Sequence, residues 1–149
     1  MSDLVAKIGG SVGAFPQAEW DALAGGNPFV SHAFLTALED SGSVGPGTGW
    51  QSAPIVIEDA DGRLRGALPA YLKGHSQGEY VFDHAWADAY ERAGGQYYPK
   101  LQIAAPFTPA TGPRLLISDE SLARPLLSAA EQLCAQNHFS SAHATFVEP

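Results

Sequence analysis

The chain has 149 residues, of which 45% are hydrophobic and 16% charged, and its formal net charge at pH 7 is -8. This length and composition predict one globular domain with its own hydrophobic core and exclude a disordered protein. An acidic chain without a cluster of lysines and arginines repels polyanions, so we expect no direct binding to nucleic acid.

The sequence also disfavours an exported or membrane-spanning protein, and a protein with a disulfide or a cysteine-rich metal site. Met1-Ser2-Asp3 lacks the basic region of an export signal, and no uninterrupted apolar run approaches the roughly 18 residues of a membrane span. Cys134 is the single cysteine, which rules out an internal disulfide and a cysteine-rich metal site. We therefore expect a cytoplasmic protein without a bound metal.

Turn residues and apolar spacing predict the first elements. The run from Val5 to Ile8 is typical of a strand that ends at Gly9-Gly10. A helix is expected after Pro16, with Trp20 toward the core and Gly25-Gly26 ending it.

A second helix and a hairpin are predicted next. Ser31 is a good N-cap, and the glycine-rich and proline-containing stretch from Ser41 to Gly49 predicts a flexible loop. The runs from Pro54 to Glu58 and from Leu64 to Leu72 predict two strands, joined by a hairpin turn at Asp59-Ala60-Asp61-Gly62.

The last third of the chain alternates helices with short strands. Asp83 is expected to cap a helix that Gly94-Gly95 ends, with Trp86 and Tyr90 on one of its faces. A long amphipathic helix carries Pro125 in its first turn. The remaining predicted strands span residues 79–82, 101–104 and 143–147, and the proline-rich stretch 106–113 is expected to be extended.

The resulting order is β-α-α-β-β-β-α-β-α-β, an α/β (α+β) fold in which helices flank one mixed, largely antiparallel sheet. The last strand is expected at the edge of that sheet. A strand from another domain, or from a second copy of the chain, would then pair with it.

Two segments carry a resemblance to a known family. They are Asn27-Pro28-Phe29-Val30-Ser31-His32-Ala33-Phe34-Leu35 and GALPAYLKGHSQGEYVFDHAWADAYERAGGQYYPKLQIAAPFTPATGPRLL, from Gly66 to Leu116. In both, the chain resembles the FemAB-like N-acyltransferases, which are likened to peptidoglycan cross-bridge enzymes. The element order resembles the Gcn5-related acetyltransferase fold without its final strand.

The resemblance implies a protein of two acetyltransferase-like halves, of which residues 1–149 form the first. It implies transfer of an acyl or aminoacyl group, from acyl-coenzyme A or an aminoacyl-tRNA, to an amine acceptor held between the halves. The missing C-terminal half is then the expected partner. The first half alone is expected to be inactive and to bind no cofactor tightly.

Coenzyme A binding by this half is disfavoured by the residues themselves. Acetyltransferases hold the donor's pyrophosphate in a Q/R-x-x-G-x-G/A loop at a helix N-terminus. The stretch from Arg63 to Leu68 begins like that motif but lies in the predicted hairpin, and the stretch from Arg92 to Tyr97 ends a helix. We therefore expect this half to contact the acceptor.

Residues with hydrogen-bonding tips on a restricted backbone are the candidates for those contacts. The predicted acceptor-binding residues are Lys73, His75, Asp83, Trp86, Tyr97, Tyr98, Lys100 and Arg114. No catalytic residue is assigned. The alternative is that Tyr97 and Tyr98 cap the core, while Lys100 and Arg114 are solvated and Lys73 and His75 lie in a plain surface loop.

The other conspicuous side chains favour structural roles. His84 and Asp88 share a helical face, but two ligands do not make a zinc site. Local hydrogen bonding is expected of His32, His138 and His143, and core packing of Cys134. A second function remains open, that of a non-catalytic binding or dimerisation domain that pairs through its last sheet edge.

Overall fold

The computed structural model describes residues 4–75 and 84–148, apart from the side chain of His84. Within them the fold is mixed α/β, with four α-helices and two four-stranded sheets. The strands are β1 Val5–Ile8, β2 Trp50–Ser52, β3 Ile55–Glu58, β4 Leu64–Leu68, β5 Ala70–Lys73, β6 Lys100–Ile103, β7 Leu116–Ile117 and β8 Ala142–Ala144. The helices are α1 Gln17–Ala24, α2 His32–Asp40, α3 His84–Arg92 and α4 Ala123–Gln136.

The two sheets are mostly antiparallel. The first has the strand order β1-β3-β4-β7 and the second β2-β5-β6-β8. Only the pairing of β6 with β8 is parallel among these named strands. Because β8 is last in its strand order, it lies at one edge of the second sheet.

One long hairpin joins the sheets. Its first arm is β2 and β3, its second arm is β4 and β5, and the same register runs from Trp50 opposite Lys73 to Ile57 opposite Gly66. The arms change sheets at Pro54 and Pro69, which cannot donate a backbone hydrogen bond. The hydrogen bond from Ala53 N to the Ala70 carbonyl, at 2.8 Å, keeps the arms paired across the change.

Side chains along this hairpin alternate between two faces. On one face Ile55, Ile57, Leu68 and Ala70 pack with Leu101 and Ile103 against the buried side of α4. On the opposite face Val56 and Ala67 pack beneath α1 and α2, in a core that contains Trp20 and Leu35. The fold thus has a core on each side of the hairpin.

Local signals in the sequence explain where the first helices begin and end. Gly25, with φ of 66°, closes α1 in the left-handed region that glycine tolerates. Ser31 Oγ accepts a hydrogen bond from Phe34 N at 3.2 Å and so caps α2. Both predictions are confirmed.

The strand prediction needs correction in three places. The predicted strand from Leu64 to Leu72 is two strands, because Pro69 ends one sheet's pairing and starts the other's. The strands β2 and β7 were not predicted, and the one expected sheet is two. The predicted strand 79–82 and the capping role of Asp83 lie outside the described residues.

The helix α3 also differs from expectation in its surroundings. Its predicted apolar face carries Trp86 and Tyr90, which are 65% and 38% exposed. Only Ala87 is buried among the described side chains of α3. No helix in the described parts of the chain has the length and apolar content needed to cross a bilayer.

Candidate functional site

One face of the second sheet carries most of the buried polar groups. Register and alternation place seven side chains on it, in rows that run across the strands. We call it the polar face, and its members are Trp50, Ser52, Tyr71, Lys73, Lys100, Gln102 and His143. The polar face lies on the same side of the hairpin as Val56 and Ala67, which α1 and α2 cover in the first sheet.

A cavity of about 770 Å³ opens on this face. Its lining includes Trp50, Ser52 and Lys73 of the polar face, together with Glu39 from the last turn of α2. Residues of the 44–49 loop other than Thr48, together with Gly10 and Ser11, form much of the rest of the wall. The cavity therefore combines one carboxylate, one ammonium group and an indole.

Glu39 is held in place by three hydrogen bonds. Its Oε2 accepts from Val12 N at 2.8 Å and from Ser52 Oγ at 2.6 Å, and its Oε1 accepts from Gly13 N at 3.3 Å. These bonds fix the carboxylate at the point where α2, the turn at 12–14 and β2 meet. The negative charge of the cavity is therefore preorganised.

Lys73 and Trp50 form a cation–π pair in the cavity wall. Lys73 Nζ lies 3.8 Å from the centroid of the Trp50 ring. The ring of Phe107 packs beside Trp50, with the two centroids 5.1 Å apart. Lys73 is fully buried, so its ammonium group belongs to the site and not to the solvated surface.

Lys100 sits directly opposite Lys73 in the register. It is 1% exposed, and its Nζ lies 5.6 Å from the centroid of the Tyr97 ring. Tyr97 is itself buried and contacts Tyr98 edge to face at 4.9 Å between centroids. The structure thus brings together Lys73, Lys100, Tyr97 and Tyr98, four of the predicted acceptor-binding residues.

His143 extends the polar face beyond β6. Its Nε2 hydrogen bonds with Ser141 Oγ at 2.7 Å and with Tyr97 Oη at 3.3 Å. This agrees with the expected local hydrogen bonding of His143. The Nε2 of His32 lies 2.9 Å from the carbonyl oxygen of Phe15, 17 residues earlier, so this hydrogen bond is not local as predicted.

His75 holds the loop at the rim of the cavity. Its Nε2 lies 2.8 Å from the Thr48 carbonyl oxygen. Gly49 has φ of 77°, and a Cβ at that position would overlap the imidazole ring. His75 therefore contacts the rim loop, whereas Lys73 two residues earlier lines the cavity itself.

Arg114 lies apart from this group. It is 3% exposed and donates to three carbonyl oxygens, those of Ala110 at 2.9 Å, Pro113 at 3.2 Å and Thr145 at 3.0 Å. Burial lowers the pKa of its guanidinium, an effect that Glu148 partly offsets. These bonds tie the proline-rich stretch to the segment after β8.

The alternative prediction that the side chains of Lys100 and Arg114 are solvated is wrong. Lys100 and Arg114 are both buried, because a strand in a packed sheet holds the first and three carbonyl oxygens hold the second. Trp86 lies on the exposed surface of α3, and Asp83 lies outside the described residues. Acceptor binding by the eight predicted residues stays a prediction.

Several groups at the site were not predicted from the sequence. Glu39, Trp50 and Ser52 line the cavity, and Tyr71 and Gln102 lie on the polar face beside it. The alternation of Tyr71 and Lys73 with Ala70 and Leu72 was the available signal, since it places tyrosine and lysine together on one side of a strand. Cys134 lies on the buried side of α4 and packs in the core as predicted, and burial raises the pKa of its thiol.

Comparison with known proteins gives one match. The model of the FemAB-like family, described as peptidoglycan biosynthesis/recognition, matches residues 11–149. A search of curated proteins found no match, and a search of solved structures found none either. Since the match spans nearly the whole chain and includes every residue of the cavity wall but Gly10, this chain belongs to the FemAB-like family.

Proposed function

We propose that this domain binds the amine acceptor of a peptidoglycan-directed N-acyltransferase and supplies contacts that position it. A second acetyltransferase-like half would complete the enzyme and provide the donor site. The observation that carries the proposal is the cavity on the polar face, whose wall presents Lys73 and Glu39 together. The family description supplies the peptidoglycan connection.

The charges of the cavity suit a ligand that carries both signs. A peptidoglycan stem peptide with a free side-chain amine has an ammonium group and carboxylates. Its carboxylate would face Lys73 and its amine would face Glu39, and each contact is strengthened by burial. The Trp50 indole provides apolar surface for the chain between the charges.

The positions of two glycine-containing sequences support acceptor binding over coenzyme A binding. The stretch from Arg63 to Leu68 lies in β4 and the residues before it, and the stretch from Arg92 to Tyr97 begins at the last residue of α3. A pyrophosphate loop needs the free N–H groups of a helix N-terminus. Neither stretch has that position.

Isothermal titration calorimetry of the domain tests the proposal. We expect saturable binding of a lysine-containing peptidoglycan stem peptide with a free ε-amine, and about tenfold weaker binding of the same peptide acetylated at that amine. Acetyl-coenzyme A should give no saturable heat. Equal binding of the two peptides, or binding of acetyl-coenzyme A alone, would contradict the assignment.

A pair of lysine variants locates the binding. Lys73→Met keeps an unbranched side chain beside Trp50 but removes the charge, so the free-amine peptide should bind about tenfold more weakly. Lys7→Met is the matched control, because Lys7 pairs with Glu58 on the surface at 3.0 Å and lies outside the cavity. If both variants bind like the original chain, the peptide does not use this cavity.

A second candidate function has one observation in its favour. The strand β8 pairs with β6 on one side, and among the described residues no named strand pairs with its other side. An edge strand of this kind can pair with a second copy of the chain. Light scattering of the purified domain would reveal a dimer if this edge serves for assembly.

A further inference from the structure

A second cavity, of about 710 Å³, is lined by the C-terminal ends of α3 and α4 and by residues that follow them. The described residues of its lining are Tyr90, Gly94, Gln96, Cys134, Ala135, His138, Phe139 and Ser140. None of these is an aspartate, glutamate, lysine or arginine, and burial raises the pKa of the Cys134 thiol, which stays neutral. Glu39 and Lys73 make the first cavity charged, whereas the second suits an uncharged ligand.

Three polar side chains of the second cavity are available to a ligand. Gln96 and His138 are exposed, and Tyr90 is 38% exposed. Within the described parts of the chain, none of these three side chains makes a hydrogen bond. Their phenol, amide and imidazole groups can therefore bond to hydroxyl or amide groups of a ligand. Ala135 and Phe139 add apolar surface to the same lining.

The rings of Tyr90 and Trp86 form an aromatic stripe at this cavity. The Tyr90 ring contacts the buried Tyr97 ring, with the centroids 5.9 Å apart. A Cβ at Gly95 would overlap the Tyr90 ring, so the glycine leaves room for it. Trp86 lies one turn before Tyr90 on the same face of α3 and is 65% exposed. The stripe therefore offers a ligand an accessible indole beside a tyrosine whose position is fixed.

A sugar ring matches this combination of an exposed indole and uncharged polar groups. Its C–H face packs on an aromatic ring, while its hydroxyls hydrogen bond with phenol, amide and imidazole groups. An N-acetyl group adds an amide for the same polar groups and a methyl for the apolar surface of Ala135 and Phe139. We propose that the second cavity and Trp86 bind a neutral, N-acetylated saccharide, such as the glycan of the peptidoglycan that the family description names. This goes beyond the proposed function, because it assigns a different ligand to a different cavity.

Tryptophan fluorescence gives a direct test, because the three tryptophans differ in exposure. Trp20 and Trp50 are 0% and 1% exposed, so quenching by acrylamide reports mainly on Trp86. The probe is tri-N-acetylchitotriose, a trimer of N-acetylglucosamine, which should remove most of this quenching at saturation. Cellotriose, which has hydroxyls in place of the acetamido groups, should leave the quenching unchanged. No protection by the N-acetylated trimer, or equal protection by cellotriose, would overturn the assignment.

A pair of aromatic variants locates the saccharide, with affinities measured by ligand-detected NMR because Trp86→Ala removes the fluorescent reporter. Trp86→Ala should bind tri-N-acetylchitotriose about tenfold more weakly than the original chain. Phe29→Ala is the matched control, since Phe29 is 41% exposed but lies between α1 and α2, outside the second cavity. Phe29→Ala should bind the trimer as the original chain does.

The variant His138→Gly separates binding from folding. His138 follows α4 with φ of 59°, in the left-handed region where glycine is less strained. His138→Gly should therefore melt no lower than the original chain, yet bind the trimer about tenfold more weakly. Unchanged binding by both His138→Gly and Trp86→Ala would show that the saccharide does not use this cavity.

The outcomes also separate this inference from the acceptor role and from self-association. The trimer carries no amine or carboxylate and the stem peptide carries no saccharide, so failure of one titration leaves the other standing. If Trp86 becomes protected from acrylamide as the protein concentration rises without saccharide, this face is an interface between copies of the chain, and the saccharide proposal is overturned.

Discussion

Glu39 shows how one side chain can serve both folding and the site. Its hydrogen bonds join the last turn of α2 to the turn at 12–14 and to β2, and its carboxylate lines the cavity. A carboxylate suits this position because it accepts hydrogen bonds on both oxygens without donating any. An amide in its place would turn an NH₂ group toward at least one donor.

We therefore expect Glu39→Gln to lower the free energy of unfolding by roughly 1–3 kcal/mol, the usual cost of a lost hydrogen bond with a buried donor left over. Urea denaturation followed by circular dichroism measures it. Glu131→Gln, on the exposed side of α4, is the control and should change stability by less than about 0.5 kcal/mol. Equal effects of the two variants would mean that the three hydrogen bonds of Glu39 contribute little.

At the residue scale, side-chain type indicated residues that the fold brings together, but it did not indicate how deeply they are buried. Lys73, Lys100 and Tyr97 were selected for their side-chain types, and the structure does bring them together. Their burial could not be predicted, because it depends on which face of the second sheet the chain covers. Glu39 was missed because the groups it binds lie 13 to 27 residues away in the sequence.

Among the elements, the hairpin turn carries the clearest local signal. Gly62 has φ of 79° and open space around its Cα, so only backbone strain opposes a side chain there. Gly62→Ala should cost roughly 1 kcal/mol of unfolding free energy. Gly10→Ala is the matched control, because Gly10 also has open space but no positive φ, and it should be close to neutral. A neutral Gly62→Ala would mean that the turn relaxes to another type.

The approach to α4 gives a prediction for pH. Hydrogen bonds from the backbone N–H and, secondly, the side chain of Ser121 lower the pKa of the Asp119 carboxyl. A lowered folded-state pKa stabilises the fold above the ordinary carboxyl pKa, and this contribution is lost as the pH falls through the folded-state pKa. Asp119→Asn should therefore be less stable than the original chain at pH 7, and the difference should shrink in acid.

Urea denaturation of the two proteins from pH 7 down into the acid range measures this difference. Asp61→Asn in the hairpin turn serves as the control, and its difference from the original chain should vary less with pH. A gap between Asp119→Asn and the original chain that stays constant in acid would contradict the role of the Asp119 charge.

The elements themselves were largely predictable where a local residue decides the boundary. Ser31 and Gly25 mark helix ends by their own conformations, and the Asp59 to Gly62 turn sets the hairpin. The division into two sheets was not predictable in the same way. Pro69 interrupts one strand, yet whether the chain bends or continues there depends on packing against α4 and α2 on opposite faces.

For the whole molecule, the continuous hairpin predicts a single unfolding transition. Both cores share its two arms, so neither sheet can lose its pairing without disturbing the other. Trp20 lies in the core beneath α1, and Trp50 lies on the polar face of the second sheet. One variant keeps Trp20 as its sole tryptophan and the other keeps Trp50. In each variant, the urea midpoint measured by fluorescence should equal that variant's own midpoint measured by circular dichroism. Separate midpoints would show that the sheets unfold independently.

The alternation along β5 also bears on how such a domain can diversify. Tyr71 and Lys73 face the cavity side, while Ala70 and Leu72 face the side that packs on α4. Under the proposed acceptor role, a mutation at Lys73 would change what the acceptor contacts, whereas a mutation at Ala70 would change the core. If the cavity binds the acceptor, selection could alter its ligand preference through a few positions while the packing against α4 is retained.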